Sequence, residues 1–314
     1  MSDAAQLKIL MADKLSFIML DSTQLRTFAA VVREGSFEAA AQSLHVTPSA
    51  VSQRIKALEQ AVGQVLVRRS KPCRATDAGR PLLRLAGQVA LLEREALHAA
   101  RPPAVGGPAP TRVTVVANGD SLGTWFVGAL ARLPTELALL FDVRRDDEEH
   151  TAELIRDGTA MAAVTAQREA VQGCRVERLG AMRYVALARA GFAARHFPDG
   201  LTEAALGSAP MMAFDRKDQL QHTFARTVTR RRIDPPIHYV PSFDGFNEAV
   251  RLGLGWGMVP ERFARADLAT GHCVDLGAGR HLDRPLYWQH WRVESAILDA
   301  LTAAVRAMAG AELR

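Results

Sequence analysis

Between residues 47 and 56 the chain reads "TPSAVSQRIK", and its hydrogen-bonding side chains are those that read and grip nucleic acid. Gln pairs in two-pronged fashion with adenine, Ser reaches a base edge or a phosphate, and Arg and Lys neutralise phosphate. Ser49, Ser52, Gln53, Arg54 and Lys56 therefore form one chemical set, with Ser36, Thr47 and Pro48 at the starts of the segments that carry it. Arg68 and Arg69 follow in "QVLVRRSKPCRAT" and add phosphate grip. Further on, "VVANGDSLGTWF" runs from a strand into a helix start, where free N–H groups can receive a carboxylate at Ser121. Asp120 is equally an ordinary N-cap. Asp147, Thr165, Asp215 and Asp244 fall at comparable strand or helix ends, and together with Asp120 they could converge on a cationic ligand.

The elements that position the first set follow from periodicity. Leu25, Phe28, Ala29 and Val32 have the spacing of an amphipathic helix, and Phe37, Ala40, Ala41 and Leu44 repeat it. Gly35 ends the first and Ser36 caps the second. A third helix begins at Thr47 as N-cap with Pro48 at its first position, and runs to Gly63 with Val51, Ile55, Leu58 and Val62 inward. The polar set then lies on the outer faces and amino end of this helix. An ordinary three-helix bundle would present the same face to solvent, but the short turn "HVT" and the basic hairpin after Gly63 favour a winged helix-turn-helix.

Charge supports that choice. The chain carries a formal +5, and residues 44 to 80 hold seven basic against two acidic side chains, so this stretch accounts for the whole excess. From Thr76 a long helical segment places Leu82, Leu85, Val89 and Leu92 at heptad spacing, a seam for dimerisation, with Pro81 kinking or fraying its start. The Pro- and Gly-rich "RPPAVGGPAP" at 101–110 then breaks the chain.

Beyond it strands and helices alternate in two cycles, which predicts a largely parallel sheet and two α/β lobes with a cleft between them. The expected division is an extension over 1–18, a winged helix-turn-helix domain over 19–75, a linker helix and hinge over 76–110, and an effector-binding domain over 111–314. Met19 offers a second start.

Other chemistries find little support. The glycines of "RLGLGWGMVP" lack the spacing of a phosphate-binding loop, the histidines make no metal-ligand set, and no G-x-S-x-G nucleophile occurs. Metal and cofactor are expected to be absent, and the chain is not expected to be an enzyme. Three scattered cysteines match no redox spacing and suit a reducing compartment. No apolar run reaches the roughly 20 residues that span a bilayer, and the amino-terminal stretch is a poor signal peptide. A cytoplasmic location follows as the expectation. A solute-binding receptor without a transcriptional role is the alternative.

On "GSFEAAAQSLHVTPSAVSQRIKALE", "NGDSLGTWF", "AVTAQREAVQGCRVERLGAMRY", "DGFNEAVRLGLGWGMVPE" and "PLYWQHWRVES", the sequence resembles the LysR-type transcriptional regulators, and within them the LysG/ArgP group. That resemblance implies an N-terminal all-α winged helix-turn-helix domain with a linker helix, followed by a two-lobed α/β effector domain like periplasmic binding proteins. It implies an operator in double-stranded DNA, L-lysine or L-arginine as effector, a homodimer or homotetramer, contact with RNA polymerase and control of a basic amino acid exporter. It places Pro48, Ser49, Ser52 and Gln53 at base edges, and Ser121, Thr165 and Asp215 beside the effector cleft. Gly119 stands where the group usually has Ala, and Asp244 where it usually has Glu.

Overall fold

The computed structural model describes residues 20–100, 110–145, 148–229 and 231–314, without the side chains of 148–150. The expected extension over 1–18, most of the 101–110 break and Asp147 lie outside the described residues.

Three helices open the chain: α1 (Ser22–Glu34), α2 (Phe37–Ser43) and α3 (Pro48–Val62). Their ends are set locally. The Asp21, Ser36 and Thr47 side chains accept from backbone N–H groups two or three residues on, and Gly35 and Gly63 close α1 and α3 in the left-handed conformation. Phe28, Val31, Ala40, Val51, Ile55 and Leu58 make the shared core. The hairpin of β1 (Val67–Arg68) and β2 (Arg74–Ala75) is fastened to α3 by Glu59, whose Oε1 accepts from Leu66 N–H at 2.8 Å and Val67 N–H at 3.3 Å.

The linker helix α4 (Gly79–Ala100) begins three residues later than the sequence suggests, because the Thr76 hydroxyl receives the Gly79 N–H at 3.1 Å. Pro81 falls in its first turn, where its missing N–H costs nothing. The helix first buries Leu83 and Ala86 in the head core and then Leu91 in the core of the second domain. Three contacts dock it there. Arg84 donates to the Gln172 carbonyl, Gly87 lies where an added Cβ would meet the Trp291 ring at 2.7 Å, and Glu95 accepts from Ser295 Oγ at 2.6 Å and Ile297 N–H at 3.0 Å.

The second domain is the expected two-lobed α/β structure, but its sheet is mixed rather than largely parallel. The strand order is β10 (Cys273–Asp275), β6 (Cys174–Arg189), β11 (His281–Trp291), β5 (Ala162–Thr165), β3 (Thr111–Ala117) and β4 (Leu139–Arg145), with β9 (Gly257–Pro260) also on β6. Among the described strands, β3 pairs in parallel with β4 and with β5, and β7 (Met211–Ala213) with β8 (Ile237–Tyr239). The difference comes from two long strands, β6 (Cys174–Arg189) and β11 (His281–Trp291), which run antiparallel to each other. The carboxyl half of β6 meets β9 and β10 in the second lobe, and the carboxyl half of β11 meets β5 in the first. Their register shifts between Leu286 and Tyr287, opposite Gly180 at φ +141, where the sheet passes between lobes. Trp125, Trp256, Trp288 and Trp291 are all buried in the common core.

Candidate DNA-reading head and ligand cleft

On the head, the outer side of α3 is polar because every third or fourth residue is consumed by the core. Pro48, Ser49, Gln53 and Lys56 are exposed there, together with the Thr47 side chain, and Ser52 is half-buried. Arg54 departs from this face. Its guanidinium turns back to the Thr27 hydroxyl of α1 at 3.5 Å, so it braces the helix rather than extending from it. Ser36 and Thr47 spend an acceptor lone pair on the N–H groups of Ala39 and Ala50. Arg68 and Arg69 are exposed on the hairpin, where Arg68 faces Arg74 across the strands and Arg69 stacks over Phe37 at 4.9 Å.

On α4, Leu82 and Leu85 rest partly against the head core, and Val89 is half-buried. Leu92 is 40 % exposed and Leu97 55 %, so the carboxyl half of the helix presents bare leucine to its surroundings.

The cleft is a cavity of about 420 Å³ lined from both lobes. The carboxyl ends of β3 and β4 supply Asn118, Gly119, Asp120 and Arg145. The second lobe supplies the turn after β7, with Phe214, Asp215 and Asp218, then Gln221 of α10 (Leu220–Val228), Asn247 of α11 (Phe243–Leu252), and Met258 and Pro260 of β9. Asn118, not Asp120, caps the helix start, accepting from Ser121 N–H at 2.8 Å. Asp120 is therefore released from capping and accepts a 2.6 Å hydrogen bond from the Tyr184 hydroxyl of β6, a bond that crosses between lobes.

Burial raises the Asp120 carboxyl above its ordinary range, the Tyr184 hydrogen bond opposes this, and the nearby Asp218 charge adds to it. Burial likewise holds the Tyr184 phenol well above its usual value, reinforced by the Asp120 charge. Asp215 Oδ1 accepts from the Lys217 and Asp218 N–H groups, and Asp218 accepts from Phe214 N–H at 2.9 Å and Leu220 N–H at 3.0 Å, which fixes both carboxylates on a tight turn.

Two lining amides are buried with an oxygen unsatisfied: Gln221, 1 % exposed, and Asn247, 3 % exposed. The Asn247 amide orientation is decided by its Nδ2 donating to the Phe243 carbonyl at 2.8 Å, which leaves Oδ1 as the orphan. Neither oxygen has a protein donor, so both are available to accept from a donor-bearing ligand in the cavity.

Of the acids and hydroxyls expected here, Asp120 and Asp215 line the cavity and the other described ones do not. Ser121 is buried behind it with its hydroxyl unpartnered, and Thr165 is buried on β5 accepting from Gln167 N–H. Asp244 is exposed on the first turn of α11, at the open end of the helix, while Asn247 one turn on is buried against the cavity. Asp147 lies outside the described residues. Arg145, Asp218, Gln221, Asn247 and Tyr184 were not anticipated, although "DGFNEAV" holds Asn247 three residues after Asp244. Among the described residues no group of side chains is arranged to hold a metal, and no helix is long and apolar enough to cross a membrane.

Residues 22–80 match the family described as bacterial regulatory helix-turn-helix protein, lysR family, and residues 108–310 match the LysR substrate binding domain. The chain is 53 % identical to the HTH-type transcriptional regulator LysG of Mycobacterium bovis, over 92 % of this chain and 94 % of that protein. Its fold is similar to the crystal structure of ArgP from Mycobacterium tuberculosis, with a TM-score of 0.85 and 52 % identity over 94 % of this chain and 99 % of that one. It is also similar to full-length LysG from Corynebacterium glutamicum with bound effector Arg, with a TM-score of 0.75 and 38 % identity over 94 % and 100 % of the two chains. Winged head, docked linker helix and two-lobed cleft thus occur here in one chain together with the sequence of such proteins, and the chain belongs to the LysR family of bacterial transcriptional regulators.

Proposed function

We propose that this regulator senses a free basic amino acid, L-arginine or L-lysine, and controls a gene for basic amino acid export. The observation that carries the ligand assignment is the charge of the cleft: Asp120, Asp215 and Asp218 against Arg145 among its described lining residues. A dibasic amino acid brings two cations and one carboxylate, which is the complement of that set, and burying a cation without such partners is expensive. Similar proteins agree with this reading. LysG of Corynebacterium glutamicum is described with bound effector Arg, and a Corynebacterium efficiens protein 42 % identical to this chain is named lysine export transcriptional regulatory protein LysG.

In this account α3 enters the major groove. Pro48, Ser49, Ser52 and Gln53 meet base edges, Ser36, Thr47, Lys56, Arg68 and Arg69 hold phosphate, and Arg54 keeps the helix in register with α1. Residues 19–75 act as the head, 76–110 as linker and 111–314 as sensor. Val89 and Leu92, with Leu82 and Leu85 at the head end, form the dimer seam, and sensor domains pair these dimers into tetramers. Ligand closes the lobes and, through the α4 contacts at Arg84, Gly87 and Glu95, alters the relation of the heads on DNA and their contact with RNA polymerase. The protein works in the cytoplasm, needs no cofactor and performs no catalysis.

Footprinting on the DNA upstream of its own gene and of its divergent neighbour, with and without 1 mM-range L-arginine or L-lysine, tests the assignment. A specific footprint whose extent changes with either amino acid, but not with L-leucine, is expected. A footprint indifferent to all three, or none, contradicts it.

A further inference from the structure

Resting on the reading of the cleft as a basic amino acid site, we infer that Arg145 is the residue that reads the ligand carboxylate, so that the protein answers to basic α-amino acids and rejects the decarboxylated amines with the same cationic tail.

Among its described lining residues Arg145 is the one cationic side chain of the cavity. Every other charged group there is a carboxylate, and the buried amide oxygens of Gln221 and Asn247 ask for donors as well. Such a surround welcomes cations without regard to what else the ligand bears. Taken alone it prefers a dicationic amine to an amino acid, because the amino acid brings an anion toward three acids. Arg145 reverses that preference. A carboxylate satisfies its fork of donors in two-pronged geometry, whereas an amine leaves it facing a second cation.

The side chain is held for this task. Arg145 ends β4, paired in register with Ala117 of β3, and its Cδ passes beside Gly119, where an added Cβ would lie at 3.7 Å. Its guanidinium sits over the Phe214 ring at 5.3 Å from the centroid, and Phe214 N–H is in turn fixed by Asp218. The cation of the first lobe is thus seated on an aromatic of the second. A carboxylate pinned there joins the lobes at the same place where Asp120 and Tyr184 join them deeper in the cleft. This geometry puts the ligand carboxylate at Arg145 rather than beside Ser121, which does not line the cavity.

The test is calorimetry on the full-length protein with L-arginine and agmatine, which share a guanidinium tail and differ in the carboxylate, and with L-lysine and cadaverine as the ammonium pair. Wild type should favour each amino acid over its amine by about tenfold or more, the scale of one charge-paired contact. In Arg145→Gln the preference should vanish or invert, through weaker amino acid binding and unchanged or tighter amine binding, and Arg145→Lys should restore part of it. Circular dichroism and a melting curve check that each variant is folded. If agmatine matches L-arginine on wild type, or if folded Arg145→Gln keeps the wild-type ratio, Arg145 does not read the carboxylate, while amino acid binding itself stands. If neither L-arginine nor L-lysine binds wild type, the ligand class is wrong and the inference falls with it.

Discussion

The head and the cleft handle polar groups in opposite ways. On the head, Gln53, Ser49, Lys56 and Arg68 stand in solvent, and the hydroxyls closest to the backbone are already occupied as caps. In the cleft, Gln221 and Asn247 are buried with unsatisfied oxygens, and Asp120 is held inside by a single phenol. The head is thus at rest without its partner: its polar atoms exchange water for DNA. The cleft instead keeps acceptors that no protein donor satisfies, which a ligand can take up. A surface of the first kind can lose a side chain without changing fold stability, whereas one of the second kind trades stability against binding.

The largest expected effect lies in the cleft. Asp120→Asn should weaken L-arginine and L-lysine by about 2 kcal/mol or more, as when one partner of a buried charge pair is removed. The wild-type pH dependence carries a sign. Because burial raises the Asp120 carboxyl in the free protein, that group holds its proton at pH values where the unfolded chain has lost it. Its contribution to stability is present at low pH and is lost as pH rises through the folded value. Binding of a cation demands the ionised form, so affinity falls as pH drops through that raised value, and proton release accompanies binding. Calorimetry in two buffers of different ionisation enthalpy reads this directly, and Asp120→Asn should abolish it.

Next in size is the head. Gln53→Ala should weaken the operator by about 1–3 kcal/mol and leave random DNA nearly unaffected, because base contacts specify and phosphate contacts position. Its melting temperature should not move, which is the contrast with the cleft. Titration of both DNAs and a melting curve decide it; equal losses on the two DNAs would remove Gln53 from base reading.

Asn247→Leu sharpens the comparison from the other side. Asn247→Leu removes the unpartnered oxygen together with the hydrogen bond from Nδ2 to the Phe243 carbonyl, so the stability of the free protein should move by no more than about 1 kcal/mol, while ligand-induced stabilisation shrinks. A variant that keeps the full ligand-induced stabilisation would mean that Asn247 does not meet the ligand. The smallest change in monomer stability is expected for Leu92→Glu. Leu92 is 40 % exposed on the monomer, so the fold should tolerate the charge within about 0.5 kcal/mol. The dimer, which would have to bury it, should dissociate in light scattering.

The same contrast explains what could be read from residues alone. The head is built from signals that act within one turn: Ser36 and Thr47 three residues before the N–H groups they receive, Pro48 at a first helical position, and Gly35 and Gly63 at helix ends. The cleft is assembled from distant pieces. Tyr184 meets Asp120 across 64 residues, and Arg145 reaches Phe214 from another lobe, distances over which periodicity carries no information. Alternating strands and helices suggest a parallel sheet, yet nothing local announces that Cys174–Arg189 is one 16-residue strand running antiparallel between lobes. Asp244 illustrates the limit within a single helix: it carries the charge a sequence reading looks for, yet it is exposed, while Asn247 one turn on lines the cavity, and only the seating of α11 decides between them.

Whether the acid-rich cleft takes a basic amino acid is decided by calorimetry of the full-length protein with L-arginine, L-lysine and L-norleucine. Norleucine keeps the α-amino acid group and the aliphatic stem of lysine and lacks the terminal cation. L-arginine or L-lysine should bind saturably, with norleucine weaker by about tenfold or more, the cost of leaving the buried acceptors and acids unpaired. Equal binding of norleucine and lysine, or no binding of either basic amino acid, would contradict that assignment.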